Sequence, residues 1–195
     1  MSRLFMFCLC YNLFMMKLYI IYDYKSICPD LSGKALTDAL IRRCLGREDA
    51  VIRRTEKGKP YVRFQEADHD GPFISVSHSE STFALLVSET EAGMDIQYAR
   101  GSKAERIAAR YFTEEEAETV AADDTGDRFY ELWTRREAYS KFTGIGLEQV
   151  INKEPLPEGN VRFIDLRLED GCFCAICTVA EEGDQSDEIQ ISYGE

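Results

Sequence analysis

Hydrophobic residues recur at two different spacings along the chain, and these spacings predict strands and helices in a regular order. A β-rich run beginning at Met16 predicts an opening strand. Apolar residues at helical spacing between Ser32, a capping residue, and Gly46 predict a helix. A two-residue period then predicts strands at Ala50 to Arg54, Tyr61 to Phe64, Phe73 to Ser77 and Thr82 to Ser88. The first unit is therefore a strand, a helix and several further strands.

The second half of the chain repeats that order of elements. Gly93 opens a strand, and helices are predicted over Lys103 to Arg110, after Thr113 with its capping-box partner Glu116, and most strongly over Asp127 to Phe142. The turn signal Glu-Asp-Gly separates two more strands, Val161 to Leu168 and Cys172 to Val179. We therefore expect an α+β fold of two similar α/β lobes in one chain, with residues 16–90 in the first lobe and 91–195 in the second.

The first residues need a separate interpretation because Leu4 to Tyr22 is nearly all apolar. This run is almost long enough to span a bilayer, and it lacks the small-residue cleavage site of a signal peptide. A strand committed to a sheet cannot also cross a membrane. We interpret residues 1–15 as an apolar extension outside the fold and expect no stable membrane association.

The composition indicates a globular protein and narrows its partners. With 195 residues, 45% of them hydrophobic, the chain can bury a standard core. Its net charge of −12 opposes binding to a polyanion, so we expect no nucleic-acid partner. Any anionic ligand would have to be held by a local cluster of basic groups.

The seven cysteines show no spacing typical of a secreted disulfide framework, which predicts a reducing, cytoplasmic location. Cys172, Cys174 and Cys177 suggest part of a zinc or iron–sulfur site, but a fourth ligand with matching spacing is missing. They lie in a short apolar segment, so we favour a role in core packing.

Two pairs of polar residues have spacings that suit metal or phosphate chemistry. Asp95 and Gln97 lie two apart on a strand, so they share one face and offer two oxygen ligands to a hard cation such as Mg²⁺. Glu137 and Lys141 lie four apart on a helix, where the alternatives are a surface salt bridge or a carboxylate ligand or base beside a phosphate-binding ammonium. Spacing alone does not choose between these interpretations.

Ser77 and His78 end an apolar strand, and Lys59 lies on a Gly-Lys-Pro turn. A serine hydrolase is disfavoured, because adjacent strand residues point to opposite faces and the sequence has no Gly-x-Ser-x-Gly elbow. Hydroxyl, imidazole and ammonium groups in such places can instead donate hydrogen bonds to phosphate oxygens. For Lys59 the alternative is a solvated loop charge.

The order of these motifs resembles that of the 4′-phosphopantetheinyl transferases. Gly-Lys-Pro is followed by Ile-Ser-Val-Ser-His-Ser, Gly-Met-Asp-Ile-Gln, Trp-Thr-Arg-Arg-Glu-Ala-Tyr-Ser-Lys and Gly-Ile-Gly-Leu. The resemblance extends from Met16 to about Val179, and Trp133 to Lys141 is its most specific part. Because Ser-His-Ser precedes the Asp motif, the chain is similar to the surfactin-synthetase-activating type, which implies a pseudodimer of two lobes with the active site between them.

The resemblance implies a metal site and a catalytic set. Asp95, Gln97 and Glu137 match the metal positions, with Mg²⁺, or alternatively Mn²⁺, as the ion. Asp95, Glu137 and Lys141 would carry the catalysis. The family usually has Glu where Gln97 stands and Lys where Arg136 stands, so this metal site has one negative charge fewer.

The resemblance also implies coenzyme A as a substrate. Lys59, Ser77, His78 and Lys141 match positions that contact its phosphates. The segment between the first strand and helix is short here, which removes basic residues that relatives use on the 3′-phosphate. The candidate substitutes are Lys34, Arg42 and Arg43, and we include Arg43 in the expected coenzyme A site.

The implied activity is Mg²⁺-dependent transfer of the 4′-phosphopantetheine arm to a serine of an apo acyl or peptidyl carrier protein, by an enzyme that is a monomer. Carrier proteins are usually acidic, so a local basic face is needed for docking. Lys103, Arg106 and Arg110 share one side of a predicted helix and are candidates for it, with a solvated helix face as the alternative. The missing carboxylate at Gln97 leaves a second hypothesis, a catalytically weak coenzyme A-binding protein with a regulatory or interaction role.

Overall fold

The computed structural model describes residues 16–64, 71–101, 103–180 and 189–194 and has a mixed α+β fold, as expected. Its strands are β1 Met16–Ile21, β2 Ala50–Arg54, β3 Pro60–Phe64, β4 Phe73–Ser79, β5 Thr82–Ser88, β6 Ala92–Gln97, β7 Val161–Arg167, β8 Phe173–Val179 and β9 Ile189–Gly194. Its helices are α1 Tyr24–Ile27, α2 Gly33–Leu45, α3 Ala104–Tyr111, α4 Glu114–Ala121 and α5 Asp127–Thr143, and a 3₁₀ turn follows at Leu147–Gln149.

The predicted elements lie within one or two residues of these bounds. The capping box is confirmed, because the Thr113 hydroxyl accepts from the Glu116 backbone N–H and the Glu116 carboxylate accepts from the Thr113 backbone N–H. Gly46 ends α2 in the left-handed conformation that glycine adopts freely. Ser32 stands at the start of α2, but its side chain makes no capping hydrogen bond there, so that part of the prediction is wrong. The short α1, the 3₁₀ turn and β9 were not predicted.

The strands form two larger sheets and a hairpin. One sheet has the order β4-β5-β1-β9, the other has the order β6-β8-β7, and β2 pairs with β3. Every pairing is antiparallel except β1 with β9, where Met16 is the partner of Ile189 in a parallel register. A strand near the end of the sequence thus extends the sheet that the first strand began. The division into lobes at residues 16–90 and 91–195 stays a prediction.

The main core lies between the two larger sheets. Its buried residues include Leu18 and Ile20 of β1, Met94 and Ile96 of β6, and Ile176 of β8. A second cluster packs α2 against the opposite face of the first sheet, through residues such as Leu40 and Ile41. Full burial of one such aliphatic side chain contributes roughly 1.5–3 kcal/mol. The two faces of β1 therefore pack into two different cores, which explains why Lys17 is the one charged residue in this strand.

The cysteines near the end of the chain belong to this interior. Cys172 and Cys174 lie in the cluster between the sheets, and Cys177 packs beside Ala138 and Ala175. All three are free thiols, and burial raises the pKa of Cys172 and of Cys177 to about 12. They act as small core residues, as the apolar segment around them predicted.

The apolar run at the beginning is described only from Met16 onward, where it forms β1 as expected. The interpretation of residues 1–15 as an extension falls outside the described residues. Among the helices of the described segments, none combines the length and the apolar character that a bilayer crossing requires.

Candidate active site

Gly93 brings β6 and α5 into direct backbone contact. A Cβ at this position would lie 2.8 Å from Cα of Phe142, and closer still to the Ala138 carbonyl oxygen and the Phe142 backbone nitrogen. Only glycine permits this approach. Side chains two apart on a strand share a face, so Asp95 is directed to the same side of β6 as Gly93 and meets the last turns of α5.

Asp95 lies at the centre of the contacts between β4, β6 and α5. Its side chain is only 7% exposed, and Oδ1 accepts a hydrogen bond from the Ser77 hydroxyl at 2.6 Å and an ion-pair contact from Lys141 Nζ at 2.7 Å. Within the described part of the chain, no ion pair joins Lys141 to Glu137. Lys141 therefore does not form the surface salt bridge with Glu137 that the spacing allowed. It forms a partly buried ion pair with Asp95 of β6 instead.

Glu137 lies on the same side of α5 as Lys141 and is partly buried. Burial and, after it, the charge of Asp95 raise the pKa of Glu137, and the Lys141 ammonium offsets part of this rise. Glu137 and Gln97 line one cleft of about 540 Å³ between α3 and α5, together with Arg100, Lys103, Ala104, Ile107, Phe129, Tyr130 and Trp133. Gln97 of β6 and Glu137 of α5 therefore line the same cleft.

The donor set at this place suits a hard divalent cation. It offers the carboxylates of Asp95 and Glu137, whose charges interact, and the amide oxygen of Gln97, whose Nε2 donates to the Tyr98 carbonyl at 3.3 Å. Mg²⁺ accepts one or two carboxylates and keeps water or phosphate oxygens for the rest of its shell. The described residues hold no cluster of three or more His, Cys, Asp or Glu side chains arranged for a metal, so the amide would have to act as the third ligand.

His78 and Ser77 point to opposite faces of β4, as the strand alternation predicts. The Ser77 side chain is buried against Asp95, whereas His78 is exposed and stacks on Tyr24 with ring centroids 6.1 Å apart. His78 lines a second cleft, of about 660 Å³, beside the first turns of α2, to which Lys25 and Lys34 also contribute. The Ser77 hydroxyl donates to Asp95 and not to His78, so these two residues do not form the serine–histidine pair of a hydrolase.

Lys59 lies on the turn between β2 and β3 and reaches the end of α5. Its Nζ donates to Glu91 Oε1 at 3.1 Å and to the Phe142 carbonyl at 3.3 Å. Lys57, on the same turn, donates to the Ile145 carbonyl at 3.3 Å. Cations at the negative end of a helix dipole are favourable, so this turn also stabilises the end of α5.

Arg43, included in the expected coenzyme A site, is not among the residues that line the cleft beside His78. It belongs to the last turn of α2, whereas Lys34 belongs to the first, and nine residues of helix separate them by about 13 Å. Arg42 donates from Nε to the Ala50 carbonyl at 2.9 Å and so joins α2 to β2. The basic residues that line this cleft are Lys25, Lys34 and Arg54, of which only Lys34 was expected.

Arg136, the residue next to Glu137, is fully buried. Its guanidinium makes two hydrogen bonds to Glu116, at 2.9 and 2.7 Å, and a third to the Glu154 carbonyl at 3.1 Å. Arg136 Cζ also lies over the Phe112 ring, 4.6 Å from its centroid. Arg136 thus anchors α5 to α4 and turns away from the candidate site, whose chemistry it does not supply.

Known proteins are similar to this chain in sequence. Residues 91–181 match the family model described as the 4′-phosphopantetheinyl transferase superfamily. The chain is 33% identical over 133 residues to the 4′-phosphopantetheinyl transferase gsp of Aneurinibacillus migulanus, covering 63% of this chain and 53% of that protein. It is 29% identical over 127 residues to the 4′-phosphopantetheinyl transferase Sfp of Bacillus subtilis strain 168, covering 60% and 54%.

A third relative is matched over a larger share of its length. The chain is 29% identical over 140 residues to the 4′-phosphopantetheinyl transferase AcpT of Escherichia coli O157:H7, covering 69% of each protein. For gsp and Sfp, the matched segment of this chain spans about half of the relative. In the family match, in these relatives and in the order of its motifs, the chain is similar to the 4′-phosphopantetheinyl transferase superfamily.

Proposed function

We propose that this protein transfers the 4′-phosphopantetheine arm of coenzyme A to a serine hydroxyl of an apo carrier protein and releases adenosine 3′,5′-bisphosphate. The observation that carries the proposal is the convergence of Asp95, Glu137 and Lys141 where β6 meets α5. Two interacting carboxylates and an ammonium group are what a pyrophosphate, a cation and an attacking hydroxyl would need. The names of the relatives support the same activity.

Coenzyme A has a place to bind beside His78. The cleft there presents Lys25 and Lys34, while its third cation, Arg54, is already paired with Asp38 at 2.5 Å. In a protein of net charge −12, such a local group of cations is the feature needed to hold an anionic ligand. We therefore place the nucleotide phosphates here, and the pyrophosphate between Lys59 and Lys141.

Asp95, Gln97 and Glu137 would hold Mg²⁺. When bound, the ion would offset the negative charge that develops on the bridging phosphates. Lys141 would leave Asp95 Oδ1 to donate to a phosphate oxygen, placing positive charge beside the breaking pyrophosphate bond. Glu137, directly or through one water, would accept the proton of the carrier serine as its oxygen bonds to phosphorus. Before an ion binds, burial and the charge of Asp95 raise the pKa of Glu137, which favours proton acceptance by this carboxylate.

The carrier would approach through the cleft between α3 and α5. That cleft has Glu137 and Gln97 within it and the apolar Ile107 and Trp133 along its sides. Lys103, just before α3, and Arg106 and Arg110 of α3 are exposed, which suits an acidic partner. The partner is an acyl or peptidyl carrier, and the enzyme acts as a monomer.

The site residues come from both parts of the chain. Ser77 and His78 belong to β4, while Asp95, Glu137 and Lys141 belong to β6 and α5. We therefore propose the two-lobed pseudodimer of the surfactin-synthetase-activating type, with residues 16–90 and 91–195 meeting at the active site. The cytoplasmic location expected from the cysteines remains a prediction.

A second candidate function rests on Gln97. Because this position supplies an amide and not a carboxylate, ion binding is weaker, and a coenzyme A-binding protein without efficient transfer is the alternative. Mass spectrometry of several apo carriers, each incubated with the protein, coenzyme A and Mg²⁺, separates the two. A gain equal to the phosphopantetheine arm is expected. Coenzyme A binding with no mass gain on any carrier would favour the binding protein.

A further inference from the structure

Three alternate serines of β4 face β6, although the two strands are edges of different sheets. The hydroxyl of Ser75 accepts from the Met94 backbone N–H at 2.9 Å and donates to the Met94 carbonyl at 3.4 Å. The hydroxyl of Ser79 accepts from the Tyr98 backbone N–H at 3.1 Å. Hydroxyl groups therefore make the contacts that a backbone ladder would make if β4 and β6 belonged to one sheet.

Ser77, the middle residue, differs from its two neighbours in its partner. Its hydroxyl donates to a side chain, Asp95 Oδ1, at 2.6 Å, and both groups are buried. A serine hydroxyl has one hydrogen to donate, while a carboxylate and a phosphate can only accept. The hydrogen that Ser77 gives to Asp95 is therefore not available to a phosphate oxygen.

We infer that Ser77 is a positioning residue that fixes the Asp95 carboxylate for a divalent cation, and that it does not contact coenzyme A. This inference rests on the proposed function and changes the role that the resemblance gave to Ser77.

The geometry explains why a second donor is needed on Asp95. Ser77 and Lys141 both donate to Oδ1, and no described residue donates to Oδ2, which remains for an ion. When Lys141 turns to a phosphate, Ser77 is the hydrogen bond that keeps the carboxylate in place. Partners of this kind, which orient a ligating group, typically change metal affinity about 10–100-fold when they are removed.

The test measures Mn²⁺ binding to the purified protein by electron paramagnetic resonance, with and without coenzyme A. Ser77→Ala should raise the Kd for Mn²⁺ about tenfold or more. Its affinity for coenzyme A in EDTA should stay within about twofold of the wild type, because no direct contact is lost. Ser77→Thr, which keeps a hydroxyl, should restore Mn²⁺ binding.

Ser75→Ala and Ser79→Ala are matched controls, because each removes a buried hydroxyl between the same two strands without touching Asp95. Both should leave the Kd for Mn²⁺ unchanged. The inference is overturned if Ser77→Ala weakens coenzyme A binding in EDTA, if the controls weaken Mn²⁺ binding equally, or if the wild type binds no Mn²⁺. Since none of these readouts needs a carrier, a protein that fails to transfer the arm would refute the proposed function without deciding this one.

Discussion

The contact between β6 and α5 at Gly93 should decide both stability and activity, and Gly93→Ala tests it. The added methyl group would lie 2.8 Å from Phe142 Cα, where ordinary van der Waals contact begins near 3.4 Å. Its other two neighbours are backbone atoms on α5, which cannot move out of the way as a flexible side chain can. Strand and helix must therefore separate by more than about 0.6 Å, the shortfall at Phe142 Cα, because the other two atoms lie closer still.

That separation acts directly on the ion pair of the candidate site. The 2.7 Å contact between Lys141 Nζ and Asp95 Oδ1 would lengthen beyond about 3.2 Å, the upper limit for a good hydrogen bond. Overpacking of this kind costs about 1–3 kcal/mol in the free energy of unfolding. A displacement approaching ~1 Å in a catalytic group can reduce the rate by about 10²-fold. For Gly93→Ala we expect losses of that order in the free energy of unfolding and in the rate of transfer.

Urea unfolding and the carrier mass assay measure the two effects on one preparation. Gly194→Ala is the matched control, because a Cβ there would meet Ile21 Cγ1 at 3.4 Å, an ordinary contact. Gly194→Ala should leave both the free energy of unfolding and the rate of transfer close to the wild-type values. Wild-type stability and transfer in Gly93→Ala would show that α5 does not pack on β6 as described, and that this contact does not position Asp95 and Lys141.

Three further predictions concern the ion, the base and the partner. Gln97→Glu should lower the Mg²⁺ concentration needed for half-maximal transfer, because a hard cation favours an anionic oxygen. Glu137→Gln should reduce turnover at least about 100-fold. It should not lower stability at neutral pH, since a buried carboxylate with a raised pKa destabilises the fold once it is ionised. Reversing Arg106 and Arg110 to Glu should raise KM for an acidic carrier, weaken its salt dependence and leave coenzyme A affinity unchanged.

Each of these three predictions has an outcome that would contradict it. An unchanged or higher Mg²⁺ requirement in Gln97→Glu would place this residue outside the metal shell. Near-wild-type turnover in Glu137→Gln would remove its role as base or ligand. Equal kinetics of the charge-reversed protein at low salt would locate the carrier surface elsewhere.

Local periodicity was sufficient to predict much of this arrangement. The two-residue period placed Asp95 and Gln97 on one face of β6, and the four-residue spacing placed Glu137 and Lys141 on one face of α5. What periodicity could not supply was the partner across the contact. Lys141 pairs with Asp95, 46 residues away, because Gly93 lets the helix approach the strand.

Other features had no local signal. The parallel strand β9 pairs with β1 from the opposite end of the chain, and its short sequence gives no indication of that register. Arg43 looked as suitable as Lys34 by charge, but only the fold shows which turn of α2 borders the cleft. The alternation of serines at 75, 77 and 79 was visible in the sequence, yet without β6 beside it their hydroxyls had no identifiable partners.

The most direct test of the central claim follows both products of the reaction in one tube. Protein, coenzyme A, Mg²⁺ and an apo carrier should yield one adenosine 3′,5′-bisphosphate for each carrier that gains the phosphopantetheine arm. A carrier with its acceptor serine changed to alanine, and an enzyme carrying Asp95→Ala with the fold intact, should each give neither product. Bisphosphate release without carrier modification, or modification that persists in Asp95→Ala, would contradict the claim that this site performs the transfer.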